Sequence, residues 1–153
     1  DLHRRRHSFP TRRSSDLDQL VLELTESVLI DDRDATLDVL TRLKELGVKL
    51  AIDDFGTGFS SLNYLHRFPV DIVKVDQTFV SNLGADGEGS PVATAILHMA
   101  HALSLTTAAE GVEDAAQLEG LRRLDCDVAQ GFLFAEALPS EVFEGLLRTG
   151  QTW

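Results

Sequence analysis

The sequence predicts an α/β fold of the (β/α)8 TIM-barrel type, of which about five βα units are present. Two observations lead to this prediction. Short apolar segments with strand character alternate with segments of helical periodicity between residues 18 and 147. Polar side chains recur at the carboxyl end of each strand-like segment, which is where a barrel of parallel strands carries its active site.

Five segments have the composition of strands in a parallel sheet. The first is Leu20-Val-Leu-Glu-Leu24, and the second is an apolar run that ends in Ile52 and two adjacent aspartates. Since helices separate these segments, the crossovers between them are expected to be right-handed and the strands parallel. We predict strands at residues 20–24, 49–53, 71–75, 106–109 and 128–130.

Helix signals lie between these strands. Asp34 is a candidate N-cap for a helix whose regularly spaced leucines share one face. Ser90 followed by Pro91 combines a cap with a first-turn proline, and Asp114 with Gln117 has the pattern of a capping box. We predict helices at residues 34–46, 60–67, 90–103, 114–124 and 140–147, with a helical turn at residues 79–80.

Composition limits the function classes. The 153 residues are 43% hydrophobic and carry a net charge of −11, which argues against a surface for a nucleic acid polymer. No apolar run is long enough to cross a bilayer, so we expect no membrane segment. The single cysteine, Cys126, excludes an internal disulfide and suits a reducing compartment. We therefore expect a cytoplasmic domain, with a membrane tether through upstream domains left open.

The N-terminal segment differs from the rest in charge. Residues 1–17 contain five arginines, which a nucleic-acid-binding arm would also contain. Residues 7–17, however, resemble one reading frame of a common DNA-sequencing adapter. We therefore interpret residues 1–17 as a non-native, disordered tail and residues 18–153 as the domain, and we expect the native chain to begin further upstream.

Polar side chains gather at one edge of the predicted sheet. In a parallel sheet the carboxyl ends of the strands share an edge, so groups at these ends converge. A random scatter of polar residues would not repeat that position in five consecutive units. The groups are Glu23, Asp53, Asp54, Lys74, Glu110 and Gln130.

This set of groups favours metal chemistry. Four carboxylates, or five if Glu113 is included, stand against one lysine, and such a cluster is unstable without cations. Oxygen ligands favour Mg²⁺ or Mn²⁺ over zinc. Two such ions about 3.5–4 Å apart can generate hydroxide and stabilise an in-line phosphoryl displacement. The adjacent aspartates suit this role, because one can bridge the ions while the other binds a single ion.

Five ordered motifs resemble the EAL domain, the bacterial phosphodiesterase that linearises cyclic di-GMP. The resemblance covers residues 20–147, and an isolated Asp-Phe-Gly would be far weaker evidence. The motifs are Glu23-Leu-Thr-Glu26, Asp53-Asp-Phe-Gly-Thr-Gly58 with Ser60-Ser-Leu62, Lys74-Val-Asp76, Ala109-Glu-Gly-Val-Glu113 and Gln130-Gly-Phe132.

The resemblance implies a role for each matching residue. Glu23, Asp53 and Asp54 would bind metal, and Glu110 would be a ligand or a base near the attacking water. Lys74 would hold that water or the scissile phosphate. The remaining matches would support the site, bind substrate or, through the loop after Asp54, form a homodimer that couples to metal binding. They are Glu26, Gly56, Thr57, Gly58, Ser60, Glu113 and Gln130.

The sequence also departs from the family pattern. The Glu-Ala-Leu signature and a following asparagine-bearing strand should precede Leu20, and neither is present, while Ala135-Glu-Ala-Leu138 follows the last strand and is a chance match. Glu136 stands where a basic residue is expected and Ala137 where proline is usual. We therefore expect only the C-terminal part of the barrel, an open sheet prone to aggregation, and no catalysis by this chain alone.

Other interpretations remain. A non-catalytic domain that binds cyclic di-GMP or a protein would use the same barrel, and an unrelated enzyme of Mg²⁺-assisted enolate chemistry fits the groups but not the motif order. Glu26, Lys74 and Glu113 could have purely structural roles at a helix start, a strand edge and a cap. His98, His101 and Cys126 are interpreted as structural rather than as metal ligands or nucleophiles.

Overall fold

A computed structural model describes residues 17–26, 33–57 and 62–150 of the chain. These residues form a five-stranded parallel sheet with the strands in sequence order, which confirms the α/β prediction and corresponds to part of a (β/α) barrel. The strands are β1 (Val21–Thr25), β2 (Lys49–Phe55), β3 (Ile72–Val75), β4 (Thr106–Ala109) and β5 (Val128–Ala129).

Six helices accompany the sheet in the described part of the chain. The capping box of Asp114 and Gln117 is present, and the side chain of Ser90 accepts a hydrogen bond from Ala93 N, so both predicted helix starts are confirmed. The helices are α1 (Arg33–Glu45), α2 (Leu62–Arg67), α3 (Gln77–Val80), α4 (Pro91–Ala102), α5 (Ala115–Arg123) and α6 (Ser140–Thr149). None of these helices is both long and apolar enough to cross a membrane.

Several predicted element boundaries were wrong by one or two residues, including those at Asp34 and at the end of β2. Asp34 does not cap α1 but lies inside its first turn, because the helix already begins at Arg33. Strand β2 continues two residues beyond Asp53, because Phe55 pairs with Val75 after a register shift. The aspartate pair therefore lies within an irregular strand end rather than after the strand. Such bulges re-aim side chains and are common beside active sites.

The core lies between the sheet and the helices. The middle strands consist mainly of apolar residues, as expected for parallel strands that are buried on both faces. Leu50, Ile52, Val73 and Val75 are fully buried there, and Leu97 of α4 packs on the same cluster. This rigid centre fixes where the strands end and hence where their polar residues stand.

The amino-terminal edge of the sheet is held by two similar aspartate clamps. Asp71, just before β3, accepts hydrogen bonds from Leu50 N (2.8 Å) and from Lys44 Nζ (2.6 Å). Asp127, just before β5, accepts from the backbone N and the hydroxyl of Thr107, both at 2.8 Å. Each carboxylate therefore joins the start of its own strand to the start of the preceding strand.

The second clamp makes a pH-dependent contribution to stability. Hydrogen bonds from the backbone and hydroxyl of Thr107 lower the pKa of Asp127 below its ordinary value of 3.8. The carboxylate thus stabilises the fold above that pH, and the contribution is lost as the pH falls toward the lower folded-state pKa. We expect Asp127→Asn to reduce the free energy of unfolding by about 1 kcal/mol at neutral pH, and by less near about pH 3.

Urea unfolding followed by circular dichroism at both pH values measures this difference. Asp125→Asn is the matched control, because it removes one charge from the same exposed turn without touching Thr107. A loss of unfolding free energy that is equal in Asp127→Asn and Asp125→Asn, or that does not depend on pH, would contradict the stabilising role of Asp127.

Candidate active site

The predicted site residues meet at the carboxyl edge of the sheet. Glu23 belongs to β1, Asp53 and Asp54 to the irregular end of β2, and Lys74 to β3. Glu110 directly follows β4, where its backbone N donates to Val75 O (3.0 Å) and keeps the chain in register with β3. Four neighbouring strands thus deliver their polar groups to one place, as the sequence predicts.

Lys74 is the centre of this cluster. Its Nζ lies 2.9 Å from Glu23 Oε2, 2.9 Å from Asp53 Oδ1 and 2.5 Å from Glu110 Oε1. The residue is only 7% exposed. Burial alone would lower the pKa of Lys74, but hydrogen bonds to the three carboxylates outweigh it and raise the pKa above its ordinary value. The ammonium therefore stays charged at neutral pH and offsets the repulsion between the carboxylates.

The two adjacent aspartates have different surroundings. Asp53 pairs with Lys74, whereas Asp54 adopts a positive φ of 52° and interacts with Asp76. Desolvation and the charges of Asp53 and Asp76 raise the pKa of Asp54. The two carboxylates nevertheless remain close, since one oxygen of each lies within 4.8 Å of one oxygen of the other.

Asp76 ends the motif Lys74-Val-Asp76, but the sequence analysis gave it no role in the site. Its Oδ1 accepts from both the backbone N and the hydroxyl of Thr78, which caps α3 and lowers the pKa of Asp76. The signal was present in the sequence, because Asp76 stands two residues after Lys74 and the strand period places both on one face.

Three carboxylates form a possible cation site. Asp53, Asp54 and Glu110 each offer one oxygen, and these oxygens lie within 4.8 Å of one another. The donor set is all oxygen and therefore fits a hard divalent cation. Glu23 contacts Lys74 beside this trio but does not belong to it.

Supporting residues orient the carboxylates. Gln130 Nε2 donates to Glu110 Oε1 at 3.0 Å, so this oxygen accepts from both Gln130 and Lys74. Glu113 lies farther along the same loop, where its Oε1 accepts from Gln77 Nε2 (3.2 Å) and its backbone N donates to Gln117. The amide of Gln130 thus reaches the carboxylate cluster directly, and Glu113 does not contact Lys74.

The loop after β2 begins with Gly56, whose backbone conformation favours glycine. Gly56 has a φ of 96°, and a Cβ there would press on Ile96 and on the ring of Phe79. The chain turns back at Thr57, whose backbone N and hydroxyl both donate hydrogen bonds to Asp54 O. The predicted Gly58 and Ser60 lie outside the described residues. Glu26 follows β1 directly and is partly buried.

The other chemically reactive residues lie away from the carboxyl edge. His101 Nε2 is 3.9 Å from Asp127 Oδ2 at the amino-terminal clamp, and His98 is exposed on α4. Burial raises the pKa of the Cys126 thiol, whose Sγ donates to Val128 O. A protonated, half-buried thiol is a poor nucleophile, which fits its structural interpretation.

Comparison with known proteins agrees with this geometry. The EAL domain family profile matches residues 4–137. The match includes residues 4–17, so their interpretation as adapter-derived stays a prediction. The chain is 48% identical over 129 residues to the cyclic di-GMP phosphodiesterase NbdA of Pseudomonas aeruginosa, covering 84% of this chain and 16% of that protein.

Solved structures of EAL proteins have the same fold. The PaMucR phosphodiesterase in complex with cyclic di-GMP is 43% identical with a TM-score of 0.76, over 83% of this chain and 51% of that one. BlrP1 of Klebsiella pneumoniae, in a complex with manganese and cyclic di-GMP, is 36% identical with a TM-score of 0.68, over 78% of this chain and 30% of that one. The chain belongs to the EAL domain family.

Proposed function

We propose that this site, within a complete EAL barrel, hydrolyses one phosphodiester of cyclic di-GMP to give the linear dinucleotide. One observation carries the proposal: three carboxylate oxygens lie within 4.8 Å of one another beside a buried, charged lysine. This arrangement suits a substrate whose reacting group is an anion, because cations held by the carboxylates would attract it. The printed names of the relatives support cyclic di-GMP as that substrate.

Asp53, Asp54 and Glu110 would hold the cations, which we propose to be two Mg²⁺ or Mn²⁺ ions, with Glu23 completing the ligand set. When bound, such ions supply Lewis-acid chemistry, because they acidify water and stabilise charge on phosphate oxygens. The manganese complex of BlrP1 supports this choice.

The remaining residues position the reactants. The ammonium of Lys74 would hold a phosphate oxygen or the attacking water, since its charge persists at neutral pH. Lys74 and Gln130 both donate to Glu110 Oε1 and so fix the carboxylate. We assign its other oxygen, Oε2, to accept the proton of the attacking water. Glu113 and the loop that contains Gly56 would support substrate binding.

The chain spans 16% of NbdA and about half of the PaMucR structure, so the activity of a whole protein is part of this proposal. We further propose a cytoplasmic location and a homodimer through the loop after Asp54. By itself the chain is expected to bind cations without turnover, because the Glu-Ala-Leu signature ahead of Leu20 is not in its sequence. A two-state melt together with metal-dependent cleavage by the 153-residue chain would contradict that expectation.

Replacing Lys74 tests the cation site without requiring turnover. We expect Lys74→Met to lower the free energy of unfolding by about 2–3 kcal/mol in chelator, because three carboxylates then face each other. The expected loss is smaller than the loss on breaking a fully buried ion pair, because Glu23 is half exposed. Millimolar Mn²⁺ is expected to restore most of the loss, measured by urea unfolding.

Lys49→Met is the control, because Lys49 is an exposed lysine at the other end of β2. It should change stability by less than about 0.5 kcal/mol and should not alter the response to Mn²⁺. Failure of Mn²⁺ to stabilise Lys74→Met would contradict a cation site beside Lys74.

A chimaera tests catalysis. Residues 20–137 would replace the aligned segment of the PaMucR EAL domain, and chromatography would measure the linear dinucleotide formed from cyclic di-GMP. We expect cleavage, and Glu110→Gln in the chimaera should slow it by about 100-fold or more, because a general base is lost. Glu45→Gln, at the exposed end of α1, is the control and should have no effect.

The chimaera also distinguishes a phosphodiesterase from a non-catalytic domain that only binds cyclic di-GMP. Tight binding of cyclic di-GMP by a folded chimaera without cleavage would favour the non-catalytic receptor. Cleavage that Glu110→Gln leaves unchanged would contradict the assignment of Glu110 as the base.

A further inference from the structure

We infer that Phe79 and Ile96 are positioning residues for the cation site: they support the turn of residues 54–57 from the core and so fix the direction of the Asp54 carboxylate. Phe79 belongs to α3 and Ile96 to α4, and neither belongs to the carboxylate cluster. The inference rests on the proposed function, because only that proposal makes Asp54 a cation ligand.

Asp54 is the ligand whose position the sheet controls least. Asp53 still pairs with Thr25 of β1. The backbone N of Glu110 donates to Val75 O at 3.0 Å, so the sheet holds this ligand as well. Asp54 instead lies inside the register shift between β2 and β3, at a φ of 52° that residues with a side chain rarely adopt. Contacts outside the strand pairing must therefore keep this conformation.

The hydrogen bonds of the turn give it only part of its order. The backbone N and the hydroxyl of Thr57 donate to Asp54 O at 3.3 Å and 2.9 Å, but Thr57 is exposed. Water competes for exposed hydrogen bonds, so their net contribution to stability is small. Packing under Gly56 provides further support.

Gly56 rests directly on the two apolar side chains. A Cβ at residue 56 would lie 2.9 Å from Ile96 Cδ1 and 3.1 Å from Phe79 Cε2, so these atoms fill the space beside its backbone. Ile96 is part of the buried core, and Phe79 packs against that core. A close-packed interior yields little, which makes it a firm support for the turn.

Helix α3 holds Phe79 in a fixed place relative to the site. Asp76 directly follows β3 and caps α3, since its carboxylate accepts from Thr78 N at 2.9 Å. The backbone N of Phe79 also donates to Asp76 O, at 3.0 Å. The short helix thereby ties Phe79 to the strand that carries Lys74. The end of β3 thus positions both the ammonium of Lys74 and, through Phe79, the turn at Gly56.

Calorimetric titration of Mn²⁺ into the 153-residue chain tests this role. We expect Phe79→Ala to raise the dissociation constant about tenfold, because the turn loses its support and the Asp54 carboxylate is no longer held toward the ion. Phe79→Met should stay within about threefold of the wild-type value, since methionine fills a similar volume and adapts to the space.

Phe68→Ala is the matched control. It makes the same truncation at a buried phenylalanine, but at a position that lies before the amino-terminal end of β3 and therefore away from the turn. We expect it to lower stability and to keep the wild-type affinity for Mn²⁺. Circular dichroism in chelator would show which variants are folded.

Ile96→Val decides the question if Phe79→Ala does not fold. It removes only Cδ1, the atom nearest to the Cβ position of residue 56. We expect it to raise the dissociation constant about threefold, whereas Ile72→Val, the same change at the start of β3, should leave it unaltered.

An unchanged dissociation constant in Ile96→Val and in folded Phe79→Ala would overturn this inference and leave the proposed cation site intact. An equal rise in Phe68→Ala would also overturn it, because the effect would then follow from general destabilisation. Failure of the wild-type chain to bind Mn²⁺ would overturn both the inference and the proposed cation site.

Discussion

The ammonium of Lys74 is the interaction on which the site depends. Carboxylates from β1, β2 and the end of β4 converge on it within 2.9 Å, and Lys74 itself is buried. Without a cation there, the strand ends would carry like charges at close range and the local fold would be strained. Lys74 thus allows an acidic site to exist before any metal binds.

The two edges of the sheet use the same residue type in opposite ways. At the amino-terminal edge, Asp71 and Asp127 receive backbone hydrogen bonds from a neighbouring strand and so hold the strands together. At the carboxyl edge, the described contacts of the Asp53 and Asp54 carboxylates are with other ionisable side chains, and under the proposed function a cation would replace them. Backbone partners favour stability, and exchangeable partners favour function.

Much of the fold and of the site could be predicted from sequence, because both follow local rules. Caps at Ser90 and Asp114 and the polar residues at strand ends are local signals, and they were confirmed. The irregular end of β2 and the pairing of Asp54 with Asp76 were missed, since they depend on the register with β3, which composition does not encode. The outward turn of Phe132 depends likewise on contact with Val112 in another loop.

The charge balance implies an order of binding. Glu23, Asp53, Asp54 and Glu110 present more negative charge than Lys74 can offset, so under the proposed function a dianionic dinucleotide would be repelled until divalent cations neutralise the cluster. With cations bound, the cluster would attract phosphate, whereas the cavity between the loops after β4 and β5 would still repel it, because the carboxylates of Glu113 and Glu136 line that cavity.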